Sequence, residues 1–186
     1  MRGLPINGYS QSIQKISANQ EFKDIMNILG LDVSKGVVNE KINYDKIVIA
    51  TDADCDGSHI TSMLIGWFKR FAPELFALGK ICKLITPLIL LKDAKGKITK
   101  WFFNTDEFKK WEKTNTKKCE ILYMKGLGSW ERSDLQSIID KEGIESFIKE
   151  LSLDDKSENT IEDWLGDNSE PRKVYLRDYI FDINQA

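Results

Sequence analysis

Cysteine, histidine and long apolar runs are all scarce in this sequence. The 186 residues include three widely spaced cysteines and one histidine, His59. No Cys-x-x-Cys pair occurs, which excludes a disulfide framework and a zinc site of ordinary spacing and is typical of a reducing compartment. The longest strongly apolar run, residues 81–91, contains Lys83 and Pro87 and is too short to cross a bilayer. No cationic segment followed by an apolar one opens the chain, so we expect a cytoplasmic protein with no membrane partner.

Charge is unevenly distributed along the chain, although the formal net charge is only −2. Residues 92–118 carry nine lysines against four acidic residues, whereas residues 154–170 carry seven acidic residues against one lysine. The basic stretch is compatible with a surface that follows phosphate groups, and equally with a solvated, lysine-rich hairpin. Charge therefore leaves the class of partner open.

Apolar periodicity predicts alternating helices and strands. The predicted elements are, in order, a helix over 10–30 that stops at Gly30, a strand over 46–50, a helix over 60–71, a strand over 81–91, a hairpin turn at 93–97, a strand over 98–103, and a mostly helical region over 135–184. Tyr175 and Tyr179, four residues apart, predict one face of a packed terminal helix. A strand, an acidic loop, a helix and a strand in succession are typical of a βαβ unit, so we expect an α/β domain.

An acidic loop follows the first predicted strand. Asp52, Asp54 and Asp56 alternate directly after it, where open α/β sheets place their ligand sites. Three carboxylates so close together repel one another unless a cation or protons intervene. Mg²⁺ prefers oxygen ligands and usually takes one or two carboxylates together with water and phosphate. The loop therefore predicts a Mg²⁺ site, and the alternative is a surface loop of incidental aspartates.

Two other kinds of site share part of this pattern. Residues 52–57 match the opening of an EF-hand calcium loop, but Met63 stands where the twelfth residue should be a glutamate, and a strand precedes the loop where a helix is needed. Residues 54–58 resemble the Asp-x-Asp-Gly-Thr loop of haloacid dehalogenase-type phosphatases, with Asp54 as nucleophile and Asp56 as acid/base. The extra aspartate before that motif has no task in such a mechanism. The EF-hand is excluded, and the phosphatase remains an alternative.

Four short segments carry a more specific signal. In chain order they are residues 2–7 (RGLPIN), 51–60 (TDADCDGSHI), 123–128 (YMKGLG) and 165–173 (LGDNSEPRK). Their order and spacing resemble the toprim-bearing, gyrase B-like part of type II DNA topoisomerases. The second segment resembles that family's second toprim motif, and the third resembles its Tyr-Lys-Gly-Leu-Gly segment. The resemblance covers essentially the whole chain.

The resemblance implies a fold and a domain order. The fold is toprim, a Rossmann-like parallel sheet flanked by helices, with a hairpin extension and a mostly helical C-terminal region. The implied domains are a toprim domain over residues 1–91 that lacks its first, glutamate-bearing segment, a basic β-hairpin extension over 92–121, and a gyrase B-like C-terminal region over 122–186.

The resemblance also implies an activity, that of a subunit of an ATP-dependent type II DNA topoisomerase. In this family a tyrosine of the gyrase A-like subunit attacks double-stranded DNA, and Mg²⁺, for which Mn²⁺ can substitute, stabilises charge on the phosphoryl and leaving oxygens. By position, Asp52 and Asp54 would be the catalytic metal ligands. Asp56 would be a further ligand or would act through water. A partner subunit, not this chain, would bind ATP.

DNA contacts and one supporting residue follow from the same resemblance. The implied DNA-binding positions are Arg2, Asn7, Lys125, Gly126 and Gly128. A lysine supplies a point charge to phosphate, and the glycines let the backbone approach a bulky polyanion. A structural hydrogen bond beside the acidic loop is the expected role of His59.

Several family features have no counterpart here. Leu4 stands where the family has a DNA-contacting lysine, and the sequence has neither the toprim glutamate in its Glu-Gly-Asp-Ser-Ala segment, nor an ATPase domain, nor the tyrosine region. We therefore expect an ATPase subunit that carries the glutamate and a gyrase A-like subunit that carries the tyrosine. This division resembles the three-subunit topoisomerases of T-even bacteriophages, whose small subunit this chain would be, in the host cytoplasm. The alternatives are a truncated gyrase B-like chain and a non-catalytic DNA-binding or assembly module.

Overall fold

The structure is a computed structural model that describes residues 3–31, 42–115 and 118–185, with side chains described up to residue 179. The chain forms two compact units. Unit 1 comprises the described residues within Met1–Lys46, Ser62–Lys80 and Leu151–Ala186, and unit 2 those within Ile47–Thr61 and Ile81–Glu150. The division into 1–91, 92–121 and 122–186 stays a prediction.

Helices and strands alternate along most of the described chain. The helices are α1 (Ile13–Ala18), α2 (Gln20–Leu29), α3 (Cys55–Phe71), α4 (Glu74–Ala77), α5 (Thr105–Thr114), α6 (Arg132–Glu142), α7 (Asp155–Leu165) and α8 (Glu170–Gln185). The strands are β1 (Ile47–Ile49), β2 (Ile81–Leu84), β3 (Ile89–Lys92), β4 (Ile98–Phe102), β5 (Glu120–Tyr123) and β6 (Ile148–Glu150). Short 3₁₀ turns occupy Leu127–Ser129 and Ile144–Phe147. None of the helices among the described residues combines the length and the apolar character needed to span a membrane.

Two three-stranded sheets build unit 2. The first has the order β1-β2-β6, with β1 parallel to β2 and β6 antiparallel to β2. The second has the order β4-β3-β5 and is antiparallel throughout. The predicted hairpin turn at 93–97 is confirmed, with Gly96 at a φ of 75°, which favours glycine. The α/β fold class is confirmed, and parallel pairing joins only β1 and β2 among the described strands.

The core of unit 2 lies on both faces of strand β3, because successive side chains of a strand point to opposite faces. Ile89 and Leu91 pack with Phe102 and Phe108. Leu90, on the other face, packs with residues of later elements, namely Met124, Ile138 and Phe147. This packing ties α6 and the segment after β5 to the sheet.

Aromatic rings form the core of unit 1. Trp67 of α3 is fully buried, and its ring stacks on Phe22 of α2 with the centroids 5.3 Å apart. Gly8 lies against both rings, since a Cβ there would come within 2.6 Å of Trp67 Cδ1. Leu165 of α7 packs on Gly66 of α3 in the same way, at 2.4 Å from a hypothetical Cβ.

Three sequence predictions were wrong in detail. The single helix over 10–30 is two helices, because the Asn19 side chain caps α2 by accepting from Phe22 N at 3.1 Å. The single strand over 81–91 is two strands separated around Pro87, which has no N–H to donate to a sheet. The tyrosines of the terminal helix do not form one packed face, since Tyr175 contacts the Trp164 ring at 5.3 Å but Tyr175 and Tyr179 are still 58% and 57% exposed. Gly30 does end α2, in the left-handed conformation.

Candidate functional site

The acidic loop lies in unit 2 between β1 and α3. Asp52, Asp54 and Asp56 are all exposed. Helix α3 begins at Cys55 and not at residue 60, so Asp56 stands in its first turn. The early start has a local cause. Asp54 Oδ1 accepts a hydrogen bond from Gly57 N at 2.7 Å, and the Asp54 carbonyl accepts from Ser58 N at 3.0 Å, which together cap the helix.

A close packing of backbone holds the loop against the helix. Gly57 is buried, and a Cβ on it would lie 2.1 Å from the Asp52 carbonyl oxygen. Thr61, one turn further along, donates its hydroxyl to the Gly57 carbonyl at 2.8 Å, and its Oγ1 lies 3.0 Å from Thr51 Oγ1. Asp52 is therefore pressed onto the first turn of α3 by its own backbone.

A second segment, distant in the sequence, also contacts Asp52. The Leu127 N–H donates to Asp52 Oδ1 at 2.6 Å, although the two residues are 75 positions apart. Gly126 lies directly beside the same carboxylate, because a Cβ there would come within 2.8 Å of both Asp52 Oδ1 and Cγ. The structure thus brings together the acidic loop and the Lys125–Gly128 segment, both of which the sequence singles out.

The structure says less about the other predicted site residues. Lys125 and Gly128 are exposed in unit 2 beside the contact just described. His59 is exposed on α3, and no hydrogen bond to its ring occurs among the described residues. Arg2 lies outside the described residues. The roles predicted for these residues stay predictions.

Asn7 belongs to unit 1, where its side chain is already engaged. Its amide donates to the Leu165 carbonyl at 2.8 Å, and its Oδ1 accepts from Tyr9 N at 3.0 Å and Ser10 N at 3.3 Å. The side chain therefore shapes residues 7–10 and joins them to α7. A DNA contact by Asn7 would have to use the remaining amide hydrogen.

The donor set of the loop suits a hard divalent cation. Asp52 and Asp54 each give one carboxylate oxygen to a backbone N–H and leave the second one without a hydrogen bond among the described contacts. Within the described part of the chain, no three acidic, histidine or cysteine side chains are placed to hold a metal ion together. Each of these two aspartates thus offers one open oxygen, and Mg²⁺ is an ion that takes one or two carboxylates and completes its shell with water or phosphate.

Sequence reasoning misses the packing that supports the site. The sequence presents Gly57 and Thr61 only as parts of a motif and of an apolar helix, and it does not single out Leu127. The Asp-x-Asp-Gly string itself carries a signal for Gly57, since glycine so early in a helix often marks a close backbone approach. Nothing in the local sequence indicates that the Leu127 N–H binds Asp52.

Comparison with known proteins places these features in a family. Residues 84–183, more than half of the chain, match the family described as the C-terminal associated domain of TOPRIM. Over 182 residues the chain is 32% identical to the B-subunit of DNA topoisomerase 4 from Mycoplasma capricolum, an alignment that covers 97% of this chain and 28% of that protein. It is 30% identical over 176 residues to the B-subunit of DNA topoisomerase 4 from Borreliella burgdorferi, covering 95% of this chain and 28% of that protein.

A solved structure agrees with the sequence relatives. The DNA-binding, cleavage and re-ligation domain of Plasmodium falciparum topoisomerase II superposes with a TM-score of 0.84 at 25% identity, covering 98% of this chain and 25% of that chain. The chain spans little more than a quarter of the length of the curated relatives it matches. The chain therefore belongs to the family of the C-terminal associated domain of TOPRIM and corresponds to the toprim-bearing part of type II topoisomerases.

Proposed function

We propose that this chain supplies the aspartate part of the metal site with which a type II DNA topoisomerase cleaves and rejoins double-stranded DNA. One observation carries the proposal: the hydrogen bond from Leu127 N to Asp52 Oδ1 joins two segments that resemble separate motifs of this family. The relatives named as topoisomerase subunits support the same function. The family assignment favours it over the phosphatase alternative.

The acidic loop would hold Mg²⁺, or Mn²⁺ in its place, through Asp52 and Asp54. Each would use the carboxylate oxygen that its backbone partner leaves open, and Asp56 would add a ligand or act through water. When bound, the ion would supply stabilisation of negative charge on the phosphoryl and leaving oxygens of the DNA backbone.

Lys125 and its neighbours would face the DNA beside this loop. Lys125 is exposed and places a positive charge next to the segment that contacts Asp52. A lysine there would bind a backbone phosphate without reading sequence. Gly128 is exposed beside this segment. We propose that Arg2 and Asn7 also contact DNA and that His59 supports the acidic loop.

Other chains would complete the activity. The resemblance to the family implies a toprim glutamate in the same metal site, and we propose that an ATP-binding subunit supplies it. A gyrase A-like subunit would supply the tyrosine that attacks the phosphodiester. An origin in a T-even-like bacteriophage, with a location in the host cytoplasm, stays a prediction.

The proposal is tested by relaxation of supercoiled plasmid with Mg²⁺ and ATP, using the full chain mixed with its ATPase and tyrosine subunits. We expect activity only in the mixture. Asp52→Ala and Asp54→Ala should each abolish DNA cleavage while the subunits still co-purify, because a metal ligand is lost whereas the backbone hydrogen bond lost with it costs only about 1 kcal/mol. Asp45→Ala, at an exposed aspartate just before β1, is the matched control and should cleave normally.

Two results would contradict the proposal. Normal cleavage by either aspartate variant would remove the loop from the reaction and favour a non-catalytic DNA-binding or assembly module. Hydrolysis of a small phosphate ester by the chain alone, lost in Asp54→Asn, would instead establish the phosphatase.

A further inference from the structure

Two glycines of unit 2 that are far apart in the sequence lie against Asp52. Gly57 packs on its backbone, and Gly126 packs on its carboxylate. The two contacts differ in kind, because a Cβ on Gly57 would meet main-chain atoms and a Cβ on Gly126 would meet the end of a side chain. The first contact fixes the chain, and the second limits where the carboxylate can lie.

Backbone conformation does not explain the glycine at 126. Its φ is −171° and its ψ is 176°, an extended conformation that any residue adopts. The neighbouring Gly128 has nothing within 4 Å of a hypothetical Cβ, so space is restricted at one glycine of the segment and open at the other. What position 126 requires is the absence of a side chain next to Asp52.

The turn after Gly126 is closed by two hydrogen bonds. The Ser129 hydroxyl donates to the Gly126 carbonyl at 2.6 Å, and Ser129 N donates to the same oxygen at 3.1 Å. Residues Leu127–Ser129 form a 3₁₀ turn. The Leu127 N–H therefore leaves the turn in a defined direction, toward Asp52.

The side chain of Leu127 is half-buried and faces an apolar cavity of unit 2. It lines a cavity of about 160 Å³ that is also lined by Leu84 at the end of β2, by Trp130 and by Phe147. The wall is almost entirely apolar, so contact of the leucine with it is favourable. Leu127 thus contacts Asp52 through its N–H and an apolar wall of unit 2 through its side chain.

We infer that Gly126 and Leu127 are positioning residues that hold the Asp52 carboxylate in the orientation that a divalent cation requires. The inference rests on the proposed function of the loop. Leu127 N occupies Oδ1 and so directs Oδ2 to the metal, and Gly126 leaves room for that rotamer. Groups that orient a metal ligand in this way change metal affinity by about ten- to a hundred-fold when they are lost. Gly126 then serves the metal site rather than, as the family resemblance implied, an approach to DNA.

The test is a Mn²⁺ titration of the assembled complex, with free Mn²⁺ followed by electron paramagnetic resonance. Gly126→Ala should weaken Mn²⁺ binding by about ten-fold or more, because its Cβ displaces the Asp52 carboxylate. Leu127→Ala should do the same, because it keeps the N–H but removes the apolar contacts that hold the turn in place. Leu127→Met, which keeps both the N–H and the apolar volume, should bind Mn²⁺ as the unaltered chain does. Gly128→Ala is the steric control and should also leave Mn²⁺ affinity unchanged.

Two further readouts separate positioning from a general structural role. The Mg²⁺ concentration for half-maximal cleavage should rise in Gly126→Ala and Leu127→Ala, with cleavage recovering at high Mg²⁺, while DNA affinity in metal-free buffer stays the same. Unchanged Mn²⁺ affinity in Leu127→Ala and Gly126→Ala would overturn the inference, as would a loss of DNA affinity at an unchanged Mg²⁺ requirement.

Asp52→Ala distinguishes this inference from the function on which it rests. If Asp52→Ala loses Mn²⁺ binding and cleavage but Gly126→Ala and Leu127→Ala behave as Gly128→Ala does, only the positioning inference fails. If Asp52→Ala binds Mn²⁺ and cleaves normally, the proposed function fails as well. Should Gly126→Ala not fold, the pair Leu127→Ala and Leu127→Met decides the question by itself.

Discussion

The two glycines beside Asp52 allow close packing and do not adopt unusual dihedral angles. At Gly57 and Gly126 the φ angles are not in the left-handed region, yet a Cβ at either position would collide with Asp52. The consequence of a collision depends on what is struck. A side-chain end can rotate away at small cost, whereas backbone atoms can move only if the loop and the helix separate.

This difference predicts unequal losses of stability for two alanine substitutions. Gly57→Ala should lower the free energy of unfolding by about 1–3 kcal/mol, because its Cβ would lie 2.1 Å from the Asp52 carbonyl oxygen. Gly126→Ala should cost much less stability, since its Cβ strikes only the carboxylate. Urea unfolding of the full chain measures both, with Gly128→Ala as control. Equal stability of the unaltered chain and Gly57→Ala would show that the loop backbone moves freely, against the packing described.

At the scale of elements, an ion pair joins strand β3 to helix α6 inside unit 2. Lys92 Nζ and Asp134 Oδ2 are 2.7 Å apart, and both side chains are only 12% exposed. The hydrogen bond with Asp134 raises the pKa of Lys92 above its ordinary value. This ion pair and the packing of Leu90 with Ile138 both join α6 to β3.

Removal of one partner of this pair should be more harmful than removal of both. Lys92→Met leaves the Asp134 carboxylate largely buried without its cation, and we expect a loss of about 1–3 kcal/mol of unfolding free energy. The double variant Lys92→Met with Asp134→Leu should recover most of it, because no uncompensated charge remains. Lys173→Met, in a pair that is 65% and 69% exposed, is the control and should change stability by less than about 0.5 kcal/mol. Equal losses in the single and double variants would contradict this account.

At the scale of the whole molecule, residues far apart in the sequence meet within unit 1. Asn7 donates to the Leu165 carbonyl across 158 positions, and the Tyr9 hydroxyl donates to Glu162 Oε2 at 2.7 Å across 153 positions. The Arg70 guanidinium adds to this closure by donating to the carbonyls of Gly8, Tyr9 and Gln11. The early residues of the chain are thereby bound to α3 and α7.

The hydrogen bond between Tyr9 and Glu162 makes the stability of the chain depend on pH. The hydrogen bond to Glu162, followed by burial, raises the pKa of Tyr9 from 10.0 to about 12. Between these values the unfolded chain loses the phenolic proton and the folded chain keeps it, so the contribution of Tyr9 to stability is complete below pH 10 and falls as the pH rises toward 12. Tyr9→Phe should therefore lose less stability than the unaltered chain from pH 10 to 12. Denaturation midpoints at several pH values in this range measure it, and parallel curves for the two proteins would rule out the coupling.

Local features of the sequence determined much of the fold and the identity of the candidate ligands. The acidic loop after a strand, the stop at Gly30 and the hairpin turn at 93–97 depend on neighbouring residues, so short patterns predicted them. The order of four segments was enough to indicate the family. Boundaries were missed where a single side chain intervened, as at Asn19, which caps a new helix, and at Asp54, which starts α3 early.

Tertiary structure alone decided which residues support Asp52. The Leu127 N–H and Gly126 reach the carboxylate because β1 and β5, the strands that precede the two segments, belong to one compact unit although they lie in different sheets. The local sequence does not distinguish Gly126 and Leu127 from the residues of any other glycine-containing turn, and Gly126 has an ordinary extended conformation. A hydrogen bond across 75 residues depends on the packing of everything between its ends, and a local sequence pattern carries no information about that distance.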